Sequence, residues 1–190
     1  MQNTSLTHDG ITVKLIDSDE LLAQAVQELS TSSELALDLE FDQHRYTYGF
    51  NLCLIQLTSG NGICYIIDPF PLSSLKPVYE LFENEQITKI IHHANNDILL
   101  LDKLGCNIRS VLDTDVEAKI LNYERSSLAT VLKEEFDKEI DKSQQSSNWN
   151  NRPLTDAQLK YAAIDVIYLH RIKDKLVKEV KLQGRYHWLE

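Results

Sequence analysis

The spacing of apolar residues divides the chain into short regular segments. Residues 11–16 (ITVKLI) alternate and predict a strand. Leu21, Leu22, Ala25, Val26 and Leu29 then recur at helical spacing, behind Asp17 or Ser18 as a cap. The clearest strand is 34–41 (ELALDLEF). Leu35, Leu37, Leu39 and Phe41 point one way, and Ala36, Asp38 and Glu40 the other. Two more apolar runs, 51–57 and 63–67, are joined by Ser59-Gly60-Asn61-Gly62, a hairpin-type turn. These three strands are expected to form an antiparallel meander. The stretch 68–77 reads as loop and 78–82 as a short helix. The β-branched run 87–94 reads as a buried strand. A helix over 96–104 follows, stopped by Gly105. Beyond a strand tip at 111–113, helices are expected over 116–121, capped by Asp113 or Thr114, and over 128–136, capped by Ser126 or Ser127. The polar segment 137–151 is the longest loop and a candidate lid. Pro153 suits a helix entry, and Thr155 with Gln158 offers a capping box. One helix is expected from there to about Leu182.

This order predicts an α/β fold: a mixed sheet of five to six strands, an antiparallel meander followed by parallel strands, flanked by helices. The 190 residues suit a single domain spanning 1–190, and 43% hydrophobic residues is ordinary for a globular protein. No run approaches the roughly 18 apolar residues of a membrane span, and the first residues lack the pattern of a secretory signal. Cys53, Cys64 and Cys106 have no paired spacing, which suits buried free thiols in a reducing cytoplasm rather than zinc ligands. The net charge of −10 argues against strong electrostatic binding of a nucleic-acid backbone. The basic residues of the last helix, Arg171 to Arg185, read as a solvated face.

Four carboxylates stand out because they lie among apolar neighbours. Asp38 and Glu40 share a strand face, Asp97 sits in the first turn of a helix, and Asp165 lies among Ala, Ile and Val. Tyr161, four residues before Asp165, shares its helix face. Taken singly, each has an ordinary structural explanation. Brought together at one end of the sheet, they would repel one another unless positive charge were supplied. Their motifs contain no lysine or arginine. Mg²⁺ or Mn²⁺ suits oxygen ligands, and two ions about 4 Å apart can clamp the attacking water and the leaving oxygen of a phosphodiester. Tyr161 could hold that water through its hydroxyl.

The segments Asp38-Leu39-Glu40-Phe41, His93-Ala94-Asn95-Asn96-Asp97 and Tyr161-Ala162-Ala163-Ile164-Asp165 resemble the three motifs of the DEDDy 3′–5′ exonucleases, the ribonuclease D branch most closely. CLIQL at 53–57, LDT at 112–114, SLA at 127–129 and W-x-x-R-P-L at 149–154 agree with it, so the resemblance spans nearly the whole chain. It implies an RNase H-like fold and two divalent ions. Asp38 would bridge both ions, Glu40 and Asp165 would bind the nucleophile-side ion, Asp97 the other, and Tyr161 would position the water. The implied substrate is a single-stranded 3′ end, RNA favoured over DNA, with nucleoside 5′-monophosphates released. Leu39 departs from the Thr common at that place, but it should point away from the metals. Larger relatives carry helical nucleic-acid-binding domains after the exonuclease domain, and 190 residues leave no room for one. Weak, distributive binding, or a protein partner that supplies substrate, is therefore expected. A DNA 3′–5′ exonuclease of the Werner or proofreading kind, and a non-catalytic binding scaffold, are the alternatives. His93 and Arg152 read as structural or substrate-adjacent, and Trp149 as a core anchor beside the lid.

Overall fold

The computed structural model describes residues 5–43 and 50–188. Its strands are β1 (Ser5–His8), β2 (Ile11–Ile16), β3 (Glu34–Gln43), β4 (Phe50–Thr58), β5 (Ile63–Ile67), β6 (Thr88–Ile91) and β7 (Val111–Asp113). They form one sheet in the order β1-β2-β5-β4-β3-β6-β7. The meander β3-β4-β5 is antiparallel, as the hairpin turn predicts, and β6 and β7 continue parallel to β3. Seven strands is one more than the sequence reading allowed. The addition is β1, which pairs with β2 across Asp9 and Gly10, both at positive φ (50° and 77°). Asp-Gly is the preferred chemistry of such a two-residue turn. Leu6 is the sole large apolar residue of β1, so alternation did not mark it.

Both faces of the sheet are covered. On one lie α1 (Asp19–Leu29), α2 (Lys76–Glu83) and α3 (Asn95–Lys103), whose Leu22, Leu29, Phe82 and Leu101 pack with Leu35, Leu37 and Leu39 of β3. On the other lie α4 (Thr114–Ile120), α5 (Leu128–Phe136), α6 (Asp156–Ile167) and α7 (Leu169–Leu182), packed on Ala36, Leu54, Cys64 and Ile66. The alternation of β3 thus sends its leucines to one core and Ala36, Asp38 and Glu40 toward the other.

Three departures from the expected elements bear on the site. The helix expected to run unbroken to Leu182 is interrupted at Tyr168, whose hydroxyl donates to Asp9. The apolar spacing passes straight through this break (Val166, Leu169, Ile172), so the pattern could not show it. The strand expected over 87–94 ends at Ile91. His93 takes a left-handed φ of 65°, and its N–H and that of Ala94 donate to the Asp113 carboxylate at 2.8 and 2.9 Å. That turn starts α3 and sets the place of Asp97. Finally, the β3–β4 ladder has a bulge: Glu40 pairs with Leu54 but Phe41 with Leu52, so Cys53 is the extra residue. Bulges re-aim side chains and are common beside active sites.

Candidate active site

Asp38 and Glu40 stand two residues apart on β3 and face α6. On α6, Tyr161 and Asp165 are one turn apart. The helix start is fixed by the expected capping box: the Gln158 N–H donates to Thr155 Oγ1 at 3.2 Å, and the Thr155 N–H to Gln158 Oε1 at 3.0 Å. The result is convergence. One carboxylate oxygen from each of Asp38, Glu40 and Asp165 lies within 4.8 Å of the others. Asp97, buried in the first turn of α3, does not join that close group. Its charge nonetheless acts on Asp38 and Glu40.

The electrostatics are those of acids without counter-charge. Burial, then repulsion from Asp165, Asp97 and Glu40, pushes the Asp38 carboxyl well above the usual carboxylate range. Glu40 is raised by burial and by Asp165 and Asp97. Asp97 and Asp165 are raised chiefly by burial. The close three are each half-buried. Among the described residues no lysine or arginine pairs with any of the four. Hard divalent cations fit this donor set, since oxygen ligands are what Mg²⁺ and Mn²⁺ prefer and positive charge is what the set lacks. Burial and the carboxylates Asp165, Glu40 and Asp38 raise the Tyr161 phenol too, which lies one turn before Asp165 on α6. Its ring lies 6.1 Å from that of Trp149, and a cleft of about 270 Å³ opens beside it, lined also by His8, Gln144, Lys160 and Ile164.

The surroundings hold residues whose distant partners no sequence pattern singles out. Arg152 is the anchor of the segment leading into α6. Its guanidinium grips buried Asp68 with two bonds, one of 2.9 Å from Nη2, and lies over the Phe70 ring at 4.4 Å. It also donates to the carbonyls of Trp149 (2.7 Å) and Cys53 (3.0 Å), so it seats this segment on the bulge of β4. Asn150 bonds Asn51 and Asp42, which pins the C-terminal end of the candidate lid to the sheet. Trp149 is buried, as expected of an anchor. Asp113 caps α4 as well as the His93 turn. His93 and Lys119 both bond Asp115, at 3.1 and 2.6 Å. Lys119 and Asp115 are one helical turn apart, but Arg152 with Asp68, Asn150 with Asp42 and His93 with Asp115 are distant along the chain, and no spacing rule connects them. Cys53, Cys64 and Cys106 are free and buried, and among the described residues no helix is long and apolar enough to cross a membrane.

The sequence profile of 3′–5′ exonuclease domains matches residues 13–181. Ribonuclease D of Serratia proteamaculans is 35% identical over 173 residues, covering 90% of this chain and 46% of that protein. The exosome complex component 10 homolog of Caenorhabditis elegans is 34% identical over 171 residues, covering 89% of this chain and 19% of its own. The chain thus spans about half the length of the ribonuclease D sequences it matches, and less of the exosome component. Among solved structures, Escherichia coli RNase D, described as an exoribonuclease involved in structured RNA processing, superposes with a TM-score of 0.83 at 32% identity, over 90% of this chain and 45% of that one. Brucella melitensis NrnC bound to pGG superposes with a TM-score of 0.78 at 27% identity, over 94% and 86%. The seven-stranded mixed sheet flanked by helices is therefore RNase H-like. By its sequence profile and by the fold that carries the carboxylates, the chain belongs to the family of 3′–5′ exonuclease domains, and within it is similar to ribonuclease D.

Proposed function

We propose that the chain is a single metal-dependent exonuclease domain that removes nucleotides one at a time from the 3′ end of single-stranded RNA and releases nucleoside 5′-monophosphates. The observation that carries this reading is the convergence of Asp38, Glu40 and Asp165 to within 4.8 Å with no cationic side chain among the described residues to balance them. Asp38 would bind two Mg²⁺ or Mn²⁺ ions, Glu40 and Asp165 the one on the nucleophile side, and Asp97 the other. Bound there, the ions supply the positive charge that an attacking water and a departing 3′-oxygen both require. The chain's own residues do the rest. Tyr161 keeps its phenolic proton at neutral pH and orients the water. The Arg152 anchor and the capping box fix the helix on which Tyr161 and Asp165 ride. Asp113, through the His93 turn, fixes the helix start that carries Asp97.

RNA is preferred over DNA here because the similar proteins are ribonucleases by name, the Escherichia coli one an exoribonuclease. A net charge of −10 supports weak, distributive binding of the polyanion, or a protein partner that presents it. Free buried thiols support a cytoplasmic setting. The test is a gel series in which purified protein meets 5′-labelled single-stranded RNA and DNA of one sequence, with Mg²⁺, Mn²⁺ or EDTA, beside Asp165→Ala. The expected result is a metal-dependent ladder shortening from the 3′ end, faster on RNA and absent in the variant. A faster ladder on DNA would select the DNA exonuclease instead. Folded protein inert on both substrates in both metals would leave a binding scaffold.

A further inference from the structure

Gln56 lies in the middle of β4, directly opposite Asp38 in the antiparallel ladder. Opposed residues of such a pair point to the same face with their Cβ atoms about 5 Å apart. That face is the one covered by α6, since Leu54 and Ile66, the neighbours of Gln56 along β4 and on β5, belong to its core. Gln56 is 0% exposed, and neither its amide oxygen nor its amide nitrogen has a hydrogen-bond partner among the described residues. Leaving a buried polar group unmatched costs about 1–3 kcal/mol, whereas an apolar side chain of the same shape costs little. An orphaned amide in a sheet centre therefore calls for a use.

The neighbouring carboxylate supplies one. An ionised carboxylate accepts at about four lone-pair positions, and carboxylates that bind metals are held by hydrogen bonds from residues behind them. Asp38 takes a bond from the Leu39 N–H, and no side chain among the described residues donates to it. We propose that Gln56 is a positioning residue of the centre: with cations bound, its amide N–H donates to the Asp38 carboxylate and holds it in the orientation that ligation requires. This inference rests on Asp38 being a metal ligand.

The test measures metal binding as well as turnover. Mn²⁺ is titrated into metal-free protein and followed by the electron paramagnetic resonance of the free ion, for the native chain, Gln56→Met, Gln56→Asn and Asp38→Asn. Gln56→Met keeps the shape and removes the donor. It is expected to bind Mn²⁺ about 10–100-fold more weakly, to lower kcat with KM for RNA unchanged, and to melt no lower than the native protein without metal. Native-like Mn²⁺ affinity in Gln56→Met would overturn the assignment, and so would a lower melting temperature with unchanged kcat, the signature of a packing role. Should Gln56→Met not fold, Gln56→Asn decides: it keeps an amide but withdraws it from Asp38, and native-like affinity there overturns the assignment equally. Asp38→Asn separates the two levels. If it binds Mn²⁺ as the native chain does, the metal reading itself fails; if it loses the ion while the Gln56 variants keep it, only the role of Gln56 fails.

Discussion

Asp115 and Asp165 lie on helices packed against the same sheet face, and their surroundings are opposite. Asp115, 4% exposed, is bonded by Lys119 and by His93. Burial would raise its pKa, but hydrogen bonds from Lys119, Ser126 and His93 outweigh that and hold it near 2. Asp68, also 4% exposed, has the fork of Arg152. Asp165 has other acids instead, and burial pushes its pKa up. Asp115 and Asp68 are scaffolding, and each takes a cation from the chain itself. Asp38, Glu40 and Asp165 converge without one among the described residues, a donor set that suits a cation from outside. Glu117 shows why convergence matters. It is wholly buried with both oxygens unpartnered among the described residues, yet it is not part of the close group of three acids. Burial, which outweighs the pull of Lys173, makes it a neutral acid rather than a ligand.

The sharpest way to break this contrast is Asp165→Ala. Hydrolysis should fall below detection while the melting temperature of the metal-free protein holds or rises, because a repelling charge is gone. Detectable turnover, or a collapse of the fold, would show Asp165 to be scaffolding after all. Arg152→Ala tests the opposite class. Stripped of its partner, buried Asp68 should destabilise the protein by about 3 kcal/mol, read by chemical denaturation. A loss below the noise of such a melt would mean the pair contributes little. The smallest effect is expected for Glu117→Gln. Burial raises the Glu117 pKa from 4.5 to about 8, so the folded state keeps a proton that the unfolded chain releases. That linkage removes stability as pH rises between those two values. The variant should melt on the order of 5 °C higher at pH 8 and no differently at pH 4. A lower melt at pH 8 would show that the charge is accommodated.

The fold and the centre were legible in the sequence to different depths. The meander, the flanking helices and the face shared by Asp38 and Glu40 follow from period two and from one hairpin turn. Thr155 and Gln158 announced their cap correctly. Asp38, Glu40 and Asp165 do converge, while Asp97 lies outside their close group. What escaped was whatever depends on partners distant along the chain or on a break in an unbroken pattern. Asp68 read only as a strand end, because nothing local marks it as the seat of Arg152. Lys89 sits 0% exposed inside β6, with its ammonium donating to the carbonyls of Asn84 and Ile87, where the apolar run alone was visible. Asp9-Gly10 carries a turn signal, but β1 has no alternation of its own to mark the strand before it. Gln56 looked like one more polar residue in a strand until its register with Asp38 was known.

The bulge at Cys53 bears on where this chain can change length. A one-residue deletion there would straighten β4 and leave a regular ladder, so the sheet itself would lose little. It would also withdraw the carbonyl on which Arg152 rests, and with it the landing place of the segment that leads into α6. A deletion between Leu54 and Gln56 would make them adjacent and send one of the two to the opposite face, since strand side chains repeat every second residue. The number of residues at this point is therefore set by the helix that lands on the strand, not by the strand.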